Sequence, residues 1–270
     1  MRHMIRKPSV AGRFYPAGKD ALSAEVSKLL GTLRSNVHAK GIIVPHAGYM
    51  YSGHVAGAVY SLIKVPPRAI ILCPNHTGMG ASLAIMSSGT WQIPLGKIEI
   101  DADLAKKLMH HCRLLTEDAE AHRLEHSLEV QLPFLYAIRH DIMFVPIVIG
   151  TGGYATLERL GRAIEATRKE IGEDILVIAS SDMNHYERDE ITRKKDRMAI
   201  NKILELDPKG LYEVVRAESI SMCGYGPAIA MLNSLDDLPS RKSQLVKYAT
   251  SGDVSGDNSE VVGYAGIVVQ

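Results

Sequence analysis

Histidine is a common ligand for zinc, copper and iron, and its charge changes near neutral pH. The chain has eleven histidines, and several lie in short segments rich in glycine and proline. Pro45-His46-Ala47-Gly48-Tyr49 is one, and Pro74-Asn75-His76-Thr77-Gly78 repeats its construction. In each, a proline ends an apolar run and small residues leave room beside the imidazole. A single loop histidine is commonplace; two built alike at the ends of two apolar runs point to a metal site. Ser180-Ser181-Asp182-Met183-Asn184-His185-Tyr186 adds a carboxylate and a third imidazole. Asp182 could ligate a metal, serve as a general base or orient a ligating histidine, and Ser181 or Asp182 could equally cap a following helix.

A thiol joins this set. Cys223 lies in Met222-Cys223-Gly224-Tyr225-Gly226-Pro227, just before a predicted helix. A helix N-terminus there is expected to lower its pKa, which suits a thiolate ligand or a nucleophile. The plain alternative is a small buried hydrophobe, the role assigned to Cys73, inside a strand run, and to Cys112, at a helix end. Glu125-His126-Ser127-Leu128-Glu129-Val130-Gln131-Leu132-Pro133 alternates polar and apolar residues. His126 could exchange a proton with a bound substrate, and helix capping explains the segment as well. His3, His38, His54, His110, His111, His122 and His140 lie in polar or flanking positions and are given no role.

The elements around these segments read as α/β, a single domain over residues 1–270 with a central, mostly parallel sheet flanked by helices. Lys40–Val44, Arg68–Cys73, Leu83–Ser87, Gly96–Ile100, Ile142–Ile149 and Asp174–Ser180 are predicted strands, mostly apolar runs between turn signals. Gln244–Thr250 and Val261–Val269 are two more. Helices are predicted over Gly53–Ile63, from an Asp101 N-cap through His111, over Ser127–Ile138 with Pro133 interrupting, and over Thr156–Ile171 with Gly172 as its stop. Further helices span Asp189–Leu206, Pro208–Ala217 and Gly226–Leu235. In parallel sheets ligands bind beyond the carboxyl ends of the strands. The loops bearing His46, His76 and Asp182 each follow a predicted strand, so their side chains should meet at one edge.

Composition narrows the function. Hydrophobic residues make up 46% and charged residues 23%, as in ordinary globular proteins. Lys+Arg total 31 against 30 Asp+Glu, a net charge of +1, so no global field favours nucleic acid or an anionic membrane. Aromatic content of 6% without interleaved basic stretches also argues against single-stranded nucleic acid. No apolar run approaches the roughly 18 residues of a membrane span, and the N-terminal stretch has no apolar signal core. Three cysteines without a C-x-x-C pair fit a reducing compartment, and the expectation is a cytoplasmic protein. No nucleophile elbow, Walker A, H-E-x-x-H or EF-hand pattern is present. Gly150-Thr151-Gly152-Gly153 alone is weak support for a nucleotide, so no nucleotide cofactor is expected.

With these residues in view, the chain resembles the Memo family (mediator of cell motility), labelled in prokaryotes protein B of the AmmeMemoRadiSam system. The matching blocks are Val10–Pro16, Pro45–Gly53, Pro74–Gly78, Glu125–Leu135, Ser180–Tyr186, Cys223–Pro227 and Val262–Val269. Together they cover nearly the whole chain and are specific in a way no single block is. The resemblance implies a fold like class III extradiol dioxygenase catalytic subunits. It also implies a pocket of His46, His76 and Cys223 as metal ligands, associated with iron or copper, zinc being possible. Asp182, His185 and His126 would be its orienting and acid/base groups. Tyr49, Asn75, Glu125 and Phe14 lie in matching blocks and are expected to contact the ligand, a small molecule or a peptide. A radical SAM protein is a conceivable partner. Dioxygenase iron sits on two histidines and a carboxylate; a thiolate in the third place is softer and weighs against catechol ring cleavage. The function expected is a redox-active or oxygen-handling metal protein. The alternatives are a peptide-binding module on the same scaffold and a metal-free Cys–His hydrolase with a depressed thiol pKa.

Overall fold

The computed structural model describes residues 4–33, 36–238 and 240–270; His3 lies outside them. The strands are β1 (Ile5–Arg6), β2 (Gly41–Val44), β3 (Arg68–Pro74), β4 (Leu83–Ile85), β5 (Thr90–Ile93), β6 (Gly96–Ile100), β7 (Thr116–Glu117), β8 (Met143–Ile149), β9 (Ile175–Ser180), β10 (His185–Glu187), β11 (Ser243–Thr250) and β12 (Val261–Val269). They form one sheet ordered β1-β5-β6-β8-β3-β9-β2-β12-β10, with β11 on β12, β4 on β8 and β7 on β4. The centre, β6-β8-β3-β9-β2, is parallel throughout. β12 is antiparallel to β2, and β10 and β11 are antiparallel to β12.

The apolar runs become central strands because both faces are covered. Side chains alternate between two buried clusters: Ile43, Val177 and Ala179 face one side, and Ile42, Val44, Leu176 and Ile178 face the other. Helices α1 (Lys19–Leu30), α2 (His54–Leu62) and α6 (Leu132–Ile138) cover the second face. The first lies under α3 (Ala102–His111), α7 (Tyr154–Ile171), α8 (Asp189–Leu204), α9 (Pro208–Ala217) and α10 (Tyr225–Asn233). The short helices are α4 (Glu120–Arg123), α5 (His126–Glu129) and α11 (Gly252–Ser255).

Most of the expected elements are present within a residue or two. Asp101 caps α3 by accepting from the Leu104 N–H at 3.0 Å, and Gly172 ends α7 in the left-handed conformation. One expected helix is different: Ser127–Ile138 is not continuous. It divides into α5 and α6 with Pro133 in the first turn of α6, where the missing N–H costs nothing. A π-helical turn, Tyr49–Gly53, precedes α2. Helix α1 and strands β1, β5, β7 and β10 were not foreseen from sequence. No helix among the described residues is long and apolar enough to cross a membrane.

Candidate metal centre

Strand β9 lies between β2 and β3, and all three run the same way. Their carboxyl ends therefore deliver His46, His76 and Asp182 to one place. Ring centroids of His46 and His76 are 5.1 Å apart, and Cys223 Sγ lies 3.2 Å from His46 Nε2. One donor atom from each of His46, His76 and Cys223 falls within 4.8 Å of the others. The segment bearing Cys223 reaches the strand ends because Gly224 has no side chain. A Cβ there would sit 2.4 Å from the Ser180 carbonyl and from Ser181 Cβ. Ser181 Oγ accepts the Gly224 N–H at 3.1 Å, so Ser181 does serve a helix, although a distant one, at the start of α10.

Each histidine is fixed through its Nδ1 side. His76 gives its backbone N–H and its Nδ1 to the two oxygens of Glu125, at 2.7 and 2.9 Å. Glu125 also caps α5, accepting from the Ser127 N–H and hydroxyl. Burial alone would raise its pKa, but the bonds from His76 and Ser127 outweigh burial and hold it at about 2. His46 Nδ1 meets Ser180 Oγ at 3.0 Å. His185 Nδ1 donates to the Ser221 carbonyl at 3.0 Å, and its N–H to Ser221 Oγ at 2.8 Å. A bulge sets His185 in place: its pairing with β12 shifts register at Tyr186, which takes the left-handed φ of 59° and is exposed.

Burial dominates the titration of the site. It holds His46 well below the ordinary histidine value, with His76 and His126 pushing the same way, and holds His126 at about 4. It lowers His185 as well. Neutral imidazoles are the form a metal ion needs. Burial lifts Asp182 to about 7, against hydrogen bonds from the N–H groups of His46 and Ala47 that favour its charge. The Cys223 thiol is pushed up by burial first and by Asp182 second, which corrects the expectation of a lowered value before α10. The helix N-terminus is present, but desolvation outweighs it, and a metal ion would supply the missing counter-charge.

Of the other expected residues, Asp182 accepts the His46 N–H at 2.7 Å and so holds the first loop; its second oxygen lies 4.0 Å from His46 Nε2. His126 packs 4.6 Å from His76 and 4.7 Å from Phe14, ring to ring. Tyr49 is buried one layer back, its hydroxyl donating to the Val130 carbonyl at 2.7 Å. Asn75 uses its amide within its own loop, bonding Met79, Thr77 and Gly78. It also lines a cavity of about 220 Å³ shared by Thr151, Gly152, Cys223 and Tyr225. A larger hollow of about 420 Å³ beside β1 contains no histidine or cysteine, so volume is a poor guide to the chemistry here.

Residues 6–268 match the Memo family, described as Memo-like protein. The chain belongs to the Memo family. MEMO1 family proteins of Pyrobaculum arsenaticum and Methanopyrus kandleri are 44% and 41% identical to it, each over 98% of this chain and 98–99% of theirs. A crystal structure of an uncharacterized protein from Escherichia coli K12 shares the α/β fold, with a TM-score of 0.53 at 14% identity. It covers 84% of this chain and 99% of its own.

For this Memo protein, sequence reasoning singled out the imidazoles, the thiol and Asp182 as an orienting group, but not the other side chains that anchor the rings. Ser180, Ser221 and Gln131 were missed. Gln131 is fully buried and sits between apolar neighbours, and a polar residue in that setting is the signal that could have found it.

Proposed function

We propose that His46, His76 and Cys223 hold a metal ion of the iron or copper class, zinc being possible, and that the protein handles electrons or oxygen on a small-molecule or peptide ligand. The observation that carries this reading is the donor set: two anchored imidazoles and a thiol within 4.8 Å of one another. Tetrahedral bonds of about 2.0 Å to nitrogen and about 2.3 Å to sulfur put N and S about 3.5 Å apart, close to the 3.2 Å between His46 and Cys223. The residues therefore fit a soft or borderline cation. When bound, it would supply a Lewis-acid or one-electron centre. Three protein donors leave a coordination position for the ligand. Asp182 would hold the His46 loop, and His185, with Nδ1 committed to Ser221, would hold or pass a proton at Nε2.

The hydrolase reading asks for a depressed thiol pKa, and burial at Cys223 acts in the opposite direction. Metal quantitation after purification without chelator tests the proposal. Wild type should approach one equivalent, and the His46→Ala/His76→Ala double variant should carry almost none. Equal sub-stoichiometric metal in both would end it.

A further inference from the structure

We propose that Ser180, oriented by Ser127 and Gln131, is a positioning residue that locks His46 in the Nδ1–H tautomer, leaving the Nε2 lone pair facing Cys223. The use of this lock rests on the metal-binding reading; its geometry does not. A carboxylate or carbonyl beside Nδ1 can only accept, so Glu125 and the Ser221 carbonyl settle the tautomers of His76 and His185 by themselves. A serine hydroxyl can donate or accept, so Ser180 settles nothing until its own proton is placed.

Its neighbours place that proton. Ser180 Oγ lies 2.6 Å from the Ser127 carbonyl, which can only accept, so the hydroxyl hydrogen is committed there. Gln131 Nε2, which can only donate, reaches the same oxygen at 2.9 Å. The Gln131 amide cannot be turned round without cost. Its Nε2 also donates to the Pro45 carbonyl at 2.9 Å, and a flip would set two carbonyl oxygens against each other. On its far side Oε1 accepts from the Tyr60 hydroxyl at 3.1 Å. With its hydrogen spent on Ser127, Ser180 can only accept from His46, and His46 Nδ1 must carry the proton. The side chains of Ser180 and Gln131 are fully buried, so no solvent competes. The chain Tyr60–Gln131–Ser180–His46 runs from the core under α2 to the rim of the site. With His46 so set, all three imidazoles share one state, Nδ1 bonded to protein and Nε2 unprotonated, that of His46 lying 3.2 Å from Cys223 Sγ.

Imidazole nitrogen NMR on metal-free wild type, with labelled histidine, reads the tautomer directly. A protonated Nδ1 and a bare Nε2 at His46 are expected; a predominant Nε2–H form overturns the proposal, whatever any variant does. Ser180→Ala should give a mixed tautomer and weaken Zn(II) affinity by roughly 10- to 100-fold, the usual effect of removing an orienting partner. Ser180→Thr, which keeps the hydroxyl, should restore both. If Ser180→Ala lowers the Tm but leaves the His46 nitrogen shifts and the zinc affinity unchanged, Ser180 is only structural and the proposal fails. Wild type that shows Nδ1–H yet binds no zinc, copper or iron would end the metal reading and leave the lock standing.

Discussion

Glu125 shows how much one side chain carries. It is fully buried, caps α5 and takes two bonds from His76. Glu125→Gln keeps the shape but removes the charge and turns one acceptor into a donor. Metal affinity measured by competition with a chelator is expected to fall about 10- to 100-fold, with the far-ultraviolet spectrum unchanged. A variant that binds as tightly as wild type would show that His76 needs no carboxylate. The candidate ligands were legible in the sequence because proline, glycine and histidine in short loops after apolar runs are a local pattern. Their anchors were not, because Ser180 and Gln131 meet only once β9 and the α5–α6 break are in place. Glu125 was read as a ligand contact; it is fully buried, and both its oxygens bond His76.

Among elements, the strands were read most faithfully where both faces are apolar, as in β3 and β9. α3 and α7 were legible through cap and stop residues. α1 buries only Leu22, Val26 and Leu30, and that thin stripe escaped notice. β10 is three residues long and exists because β12 offers it an edge. Beside that pairing lies a fully buried aspartate. Asp196 on α8 accepts from the Asn184 N–H at 2.8 Å and the Tyr248 hydroxyl at 2.6 Å, which supports the loop before His185. Burial outweighs these bonds and lifts Asp196 to about 7. An unfolded aspartate titrates near about 3.9. Between these values the folded protein binds the extra proton, so the contribution of Asp196 is fully present below about pH 4 and is lost as pH rises to about 7, at no more than about 1.4 kcal/mol per pH unit. Asp196→Asn should flatten the fall of Tm between about pH 5 and 7. Part of the slope should persist, since Asp182 is shifted in the same direction. A variant whose slope matches wild type would show that Asp196 is charged throughout.

At the scale of the molecule, the order of strands was out of reach of sequence. Alternating strands and helices predict a parallel sheet but not that β9 falls between β2 and β3, nor that β12 separates β2 from β10. Those placements are made by long-range pairing. The position of Cys223 depends on them through α10, which is buried along its length and packs on α7 at Gly161. A Cβ at Gly161 would lie 2.4 Å from Asn233 Cβ and 2.7 Å from the Ala230 carbonyl. Gly161→Ala is therefore expected to cost about 1–3 kcal/mol, a drop in Tm of a few degrees, and to weaken metal binding at a site on the far end of α10. Loss of stability with unchanged metal affinity would show that α10 yields without moving its N-terminus. The three thiols have a further use. Cys112 and Cys73 are sealed in the cores on opposite faces of the sheet, and Cys223 alone is half-buried, at the wall of a cavity. Given long exposure at alkaline pH, a thiol-reactive dye should count one group in the native protein, slowly because burial holds the Cys223 proton, and three in denaturant. The native count then becomes a colorimetric gauge of the pocket, falling toward zero as a metal ion occupies it and returning when a chelator takes the ion away.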